Sequence, residues 1–177
     1  MSGYKSRSTG RRSERRWPAD GGPPPGTVEA DREWLAAAIE LSRRCRPVPT
    51  AYSVGAIVVG ADGRRLADGW SRRAAGTEHA EEGALAALNG VTPAGATVYT
   101  SLEPCSTRRS RPRSCTELIL TAGIGRVVLA LREPPLLAAC QGVRLLRAAG
   151  VEVVEQVGLA AEVRSVNAHL FPEPQVH

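Results

Sequence analysis

The sequence predicts an α/β domain, a three-layer α/β/α sandwich around a mixed five-stranded sheet. Three observations carry this. Short apolar, β-branched runs alternate with segments of helical period. Turn residues punctuate almost every boundary between them. The first two strand-like runs are separated only by Ala61-Asp62-Gly63, a hairpin signal. The later runs are separated by helical segments, which argues for parallel neighbours with right-handed crossovers. One antiparallel hairpin joined to parallel units makes the sheet mixed, with helices on both faces.

Residues 1–27 are basic and then rich in Gly and Pro, so they bury too little apolar area to offset their ordering entropy; they are expected to be a disordered tail. Residues 29–45 read as a helix: Trp34, Leu35, Ala38, Ile39 and Leu41 recur at helical spacing, acids lead, and Arg43 and Arg44 follow. Pro47 and Pro49 stop it. Residues 54–59 and 64–71 form the hairpin strands. Thr77 can cap a helix over 78–88, closed by Asn89-Gly90. The third strand is 97–101. Pro104 stands where proline opens a helix, and 106–113 is a basic loop. A helix over 115–122 ends at Gly123. Strand 126–131, helix 136–149, strand 151–155 and helix 160–170 complete the order. The domain is expected to span 28–172, with 173–177 as a short tail.

The 177 residues suffice for one domain with a buried core. Aromatics are only 4%, so Ala, Val and Leu must supply most of that core. Net charge is +5 with Lys5 as the sole lysine, which points weakly to an anionic partner. The four cysteines are too few, in too long a chain, to indicate a disulfide-stapled secreted domain. No apolar run approaches the roughly 18 residues of a membrane span, and no apolar segment follows the N-terminal arginines as in a secretory signal. A cytoplasmic location, and no membrane partner, are expected.

Chemistry concentrates at Thr77-Glu78-His79-Ala80-Glu81, read with Pro104-Cys105 and Cys115. The His-x-Glu…Pro-Cys…Cys pattern is the one zinc deaminases use on cytosine and adenine. His79, Cys105 and Cys115 can fill three tetrahedral positions of Zn2+, leaving the fourth for water. Glu81 suits the proton shuttle between that water and the departing amine. With His79 and Glu81 in the first turn of one helix and Cys105 opening the next, two helix N-termini would favour the thiolate. The plainer alternatives are a structural zinc site, which usually takes four protein ligands and leaves Glu81 without a task, and a Cys105–Cys115 disulfide. Cys45 and Cys140 read as small core or surface residues.

These residues resemble the cytidine deaminase superfamily. More narrowly, residues 53–59, 76–81, 99–106 and 122–128 are similar to the pyrimidine deaminase domain of the bifunctional riboflavin biosynthesis deaminase/reductase, with weaker likeness through Asn167 and Phe171. The resemblance spans about residues 30–172 and implies a cytidine deaminase-like fold, zinc on His79, Cys105 and Cys115, Glu81 as proton shuttle, and at least a dimer. The family's reductase domain is expected to be absent. Substrate-facing positions depart from the family. Its Asn-Pro-x-Val-Gly, whose Asn contacts substrate, is Ala51-Tyr52-Ser53-Val54-Gly55 here. Its Gly-x-His is Gly69-Trp70-Ser71, its Asp-Pro-Asn-Pro is Glu133-Pro134-Pro135-Leu136, and its Cys-to-Cys loop is one residue longer and arginine-rich.

The candidate substrate contacts are therefore Ser53, Trp70, Ser71, Ala80, Arg108, Arg109, Arg111 and Arg113. Guanidinium suits phosphate, so the loop reads either as a phosphate reader or as a basic surface loop. Trp70 reads either as a stacking ring or as core. The leading expectation is deamination of the diaminopyrimidine ribosylamino phosphate of riboflavin biosynthesis. The runners-up are a deaminase of specialised metabolism, a nucleoside or transfer-RNA deaminase, and a non-catalytic zinc module. The long Cys-to-Cys spacer opposes the nucleic-acid reading, because those enzymes usually have Cys-x-x-Cys.

Overall fold

A computed structural model describes residues 21–74, 76–134, 136 and 140–171. Its elements are α1 (Val28–Ser42), β1 (Gly55–Val59), β2 (Arg65–Trp70), α2 (Ala80–Ala86), β3 (Thr97–Leu102), α3 (Cys115–Thr121), β4 (Arg126–Leu131), α4 (Gly142–Ala148), β5 (Glu152–Glu155) and α5 (Ala160–Val166). The strands lie in the order β2-β1-β3-β4-β5. β1 is antiparallel to β2 and to β3, whereas β3, β4 and β5 run parallel. The mixed sheet expected from the hairpin and the crossovers is the one observed.

Central strands β1, β3 and β4 are buried almost throughout, which is why they read as unbroken apolar runs rather than as alternating ones. α1 and α5 cover one face of the sheet; α2, α3 and α4 cover the other. The two helix layers press closely at two glycines. A Cβ on Gly55 would stand 2.1 Å from the Ala38 carbonyl oxygen of α1, and one on Gly69 would stand 2.2 Å from the Ala80 carbonyl oxygen of α2. Any side chain at Gly69 would push α2, with His79 and Glu81, off the sheet.

Several boundaries move, each for a tertiary reason. α2 begins at Ala80 with His79 as N-cap, two residues beyond the expected Thr77, because the Glu82 carboxylate accepts the His79 backbone N–H at 3.2 Å. No helix opens at Pro104. Residues 103–113 run as loop, and α3 starts where the Ser114–Glu117 capping box places it. The expected helix over 136–149 starts only at Gly142, where the Glu103 carboxylate, 40 residues earlier, accepts the Val143 N–H at 2.8 Å. Residues 135 and 137–139 lie outside those described. The last helix breaks at Asn167, whose side chain leaves the helix for Ser53, and a 3₁₀ turn follows. The expected tail is shorter at its inner end: Gly22 donates to the Gly63 carbonyl at 2.9 Å, and the Trp34 indole donates to the Pro23 carbonyl at 2.7 Å. Residues 1–20 and 173–177, the rest of the expected tails, lie outside the described residues, as does residue 172 of the expected domain. Among the described residues no helix is long and apolar enough to cross a membrane.

One buried ion pair ties α1 to the sheet. Asp31, 2% exposed, accepts two hydrogen bonds from Arg126 at 2.6 and 2.9 Å and one from the Tyr99 hydroxyl at 2.8 Å. Burial pushes the carboxyl up, but the Arg126 and Tyr99 bonds outweigh it and hold Asp31 below the ordinary carboxylate range. A depressed native pKa contributes stability above the unfolded value near 4, and that stability is lost as pH falls through the native one. Asp31→Ala should therefore lower the unfolding free energy at pH 7 by about 3 kcal/mol in urea titrations. The gap to the unsubstituted protein should narrow on acidification below about pH 4.

Candidate metal and active site

Three segments deliver three donors to one point. His79 stands at the N-terminus of α2, Cys105 three residues past the end of β3, and Cys115 at the first position of α3. His79 Nδ1 lies 3.5 Å from the Cys105 sulfur and 3.5 Å from the Cys115 sulfur, and all three donor atoms fall within 4.8 Å of one another. A tetrahedral zinc with bonds of about 2.0–2.1 Å to nitrogen and 2.3 Å to sulfur separates its N and S ligands by about 3.6 Å. The donor set therefore fits zinc in spacing and type. All four cysteines are free thiols, so Cys105 and Cys115 do not form the disulfide.

Short-range contacts hold Cys105 without a helix. The Cys115 backbone N–H donates to the Cys105 sulfur at 3.3 Å, and the Thr116 N–H and hydroxyl both donate to the Cys105 carbonyl, at 3.1 and 3.0 Å. The start of α3 thus clasps Cys105, so the helix start expected at Cys105 belongs to Cys115 instead. The Cys115 thiol donates to Cys105 and, with His79, holds the Cys105 thiol below the ordinary cysteine range, while Cys115 itself is pushed up. Burial lowers the His79 imidazole, but the Cys105 sulfur and the Glu81 carboxylate outweigh it and raise it overall. One sulfur of the pair is thus ready to ligate, and the second proton must leave when a metal binds.

Glu81 sits one turn-step after His79 and is 3% exposed. Burial raises its carboxyl pKa, and the Thr100 hydroxyl of β3 donates to its Oε1 at 2.8 Å. A buried carboxyl with a raised pKa and one orienting hydrogen bond is equipped to pick up and return a proton. Thr100 was not legible in the sequence, because only the α2-to-β3 packing brings it under Glu81.

A cavity of about 380 Å³ opens over this cluster. His79, Glu81 and Cys105 line it, with Tyr52, Arg72, Glu103, Arg108, Glu133 and Cys140. Burial pushes the Glu133 carboxyl up to about 7. Of the sequence candidates for substrate contact, Ser71 and Arg108 lie on this wall. Ser53 is buried behind it, with its backbone N–H and C=O both bonded to the Asn167 side chain. Ala80 is fully buried against the sheet. Trp70 is off the wall, between the guanidiniums of Arg44 and Arg73 at 5.0 and 4.3 Å from its ring centre. Arg113 lines a separate groove between α2 and α3, and Arg109 is exposed. Arg108 is committed to protein: its side chain is 3% exposed, pairs with Glu82 at 2.8 Å and bonds the Thr77 carbonyl, while Arg111 pairs with the same carboxylate at 3.3 Å.

The sequence profile of the cytidine and deoxycytidylate deaminase zinc-binding region matches residues 28–131, which hold all three donors and Glu81. The chain belongs to this deaminase family. Its relatives include the diaminohydroxyphosphoribosylamino-pyrimidine deaminase of Schizosaccharomyces pombe, 37% identical over 71% of this chain and 32% of that protein. The riboflavin biosynthesis protein RibD of Aquifex aeolicus is 38% identical over 81% of this chain and 39% of its own. The chain spans about a third of the length of these curated relatives. Among solved structures, Aspergillus oryzae Rib2 deaminase in complex with DARIPP superposes with a TM-score of 0.68 at 26% identity, covering 79% of this chain and 91% of that one. The Thermotoga maritima deaminase/reductase gives 0.66 at 36% identity, covering 78% and 39%. The family's zinc-binding region is thus the segment whose donors converge here.

Zinc titrated into metal-free protein should bind at one equivalent per chain. Cys105→Ser or Cys115→Ser should weaken it by at least about tenfold, since even outer contacts of a zinc ligand are worth that much. Equilibrium competition with a chromogenic chelator measures both.

Proposed function

We propose that the chain is a zinc-dependent hydrolytic deaminase of a small aminopyrimidine, and that its substrate is the diaminopyrimidine ribosylamino phosphate of riboflavin biosynthesis. The observation that carries the reading is the placement of the buried Glu81 carboxyl two residues from His79, in the same cavity as the three-donor cluster. His79, Cys105 and Cys115 would hold the metal. Bound there, zinc would supply Lewis acidity.

The rest is done by this chain's own residues. Glu81 would take one proton from the attacking water and give it to the ring nitrogen beside the attacked carbon, then take the second from the new hydroxyl and give it to the departing amine. The exocyclic C–N bond breaks, a ring carbonyl forms, and ammonia leaves. Thr100 holds the Glu81 carboxylate in place through these transfers. The cavity roof near Arg108 and Ser110 would receive the phosphate, with Glu82 keeping the two guanidiniums of Arg108 and Arg111 together at a net positive charge.

A second reading is a deaminase of specialised metabolism with a different heterocycle. It is favoured by Ala51 and Ser71 on the cavity wall, where the resembling family carries Asn and His, and by the commitment of Arg108 to Glu82. Ammonia release from zinc-loaded protein separates the two. The first reading expects turnover of the phosphorylated diaminopyrimidine well above its dephosphorylated form; the reverse preference favours the second. In either case Glu81→Gln should lower turnover by about 10³-fold while retaining one zinc. Full turnover by that variant would refute the assignment of Glu81.

A further inference from the structure

One wall of the cavity is built from residues 50–54, of which Thr50, Ala51, Tyr52 and Val54 face the open space. Val54 is paired with Ser71 next to the sheet, through the Ser71 N–H at 2.9 Å. The residues before it belong to no strand; an isolated bridge between Val48 and Ala51 is their only β pairing among the described residues. Their backbone is held instead by side chains from two remote segments.

Asn167, fully buried after α5, makes a two-point clamp on Ser53. Its Oδ1 accepts the Ser53 N–H at 2.7 Å, and its Nδ2 donates to the Ser53 carbonyl at 3.1 Å and to the Val163 carbonyl at 3.0 Å. From the other side, Arg72 donates through Nη1 to the Tyr52 carbonyl at 3.0 Å, and through Nη2 to the Ser53 hydroxyl at 3.3 Å and the Arg46 carbonyl at 3.0 Å. Tyr52 is steadied further by Phe171, whose ring centre is 6.4 Å away, and by its own hydroxyl, which donates to the Pro134 carbonyl at 3.3 Å.

Arg72 makes its contacts at a cost to the fold. Its φ is +65°, in the left-handed region that glycine occupies without strain. Its Nε is buried with no hydrogen-bond partner among the described residues. Strain of this kind persists where the surroundings over-determine it, and it concentrates at functional sites. The guanidinium lines the cavity yet spends three hydrogen bonds on protein acceptors, so it acts through the wall.

We propose that Arg72 and Asn167 are positioning residues that hold the 50–54 wall in its substrate-recognising shape, and so set substrate affinity rather than the chemical step. The proposal rests on the reading of this cavity as the substrate site. Asn167 lies outside the residues 28–131 that match the family profile.

Two variants of the zinc-loaded full chain test it. Arg72→Gly removes the guanidinium and relieves the left-handed backbone. Asn167→Asp keeps the acceptor for Ser53 N–H and loses both donated bonds. In each, amide exchange over residues 50–54 should quicken at least about tenfold while β1 and β3 keep their protection. KM should rise about tenfold, with kcat falling by less. For Arg72→Gly the melting temperature should stay within about 2 °C, because relief of strain offsets the lost contacts. A wall that exchanges as before, or quickens only in step with the whole sheet, overturns the proposal, as does a loosened wall with unchanged KM. If the unsubstituted chain releases no ammonia from any aminopyrimidine, the reaction reading falls and the tether is judged on exchange alone.

Discussion

The fold is arranged around one costly demand, the gathering of two sulfurs and an imidazole in a largely buried space. Ionised thiols that close repel one another unless a cation or hydrogen bonds compensate. The chain meets the demand from three directions. α2 brings His79, the segment after β3 brings Cys105, and α3 brings Cys115 while donating its own N-terminal amide to Cys105. Each arrival depends on a different packing contact. Gly69 lets α2 lie close to the sheet, the Ser114–Glu117 box starts α3, and the Glu103 carboxylate ties the loop after β3 to α4 and to the Glu133 backbone at 3.2 Å.

Carboxylates divide the remaining work. Glu81 is buried beside the cluster, and that burial raises its pKa. Its neighbour Glu82 points elsewhere: it caps α2 and gathers Arg108 and Arg111, and those bonds lower its pKa. Adjacent residues on one short helix therefore carry opposite charge chemistry, set by whether burial or guanidinium contact dominates. Glu103 is spent on backbone amides and anchors the loop.

The walls of the cavity are built from less regular material. The wall at 50–54 and the loop at 106–113 have no repeating hydrogen bonds of their own, so side chains from α2 and from just after β2 and α5 hold them. Such segments are the ones free to vary while the donor cluster stays as it is. The departures at Ala51, Ser71 and Glu133 all line the cavity.

The sequence by itself determined the sheet, its mixed sense, and the three donors with Glu81, because these follow from local patterns: runs of β-branched residues, an Ala-Asp-Gly turn, and His-x-Glu followed by Pro-Cys. The start of α3 at Cys115 agrees with the helix expected over 115–122, and the Ser114–Glu117 capping box fixes it there. Only the tertiary structure decided that Thr100 supports Glu81, that Arg108 belongs to Glu82, that Trp70 stands between two arginines, and that Asn167 holds Ser53. The reason is physical. A polar side chain's partner is whichever complementary group the packed sheet and helices bring within about 3 Å, and Asn167 and Ser53, 114 residues apart, carry no trace of that meeting in their neighbours along the chain.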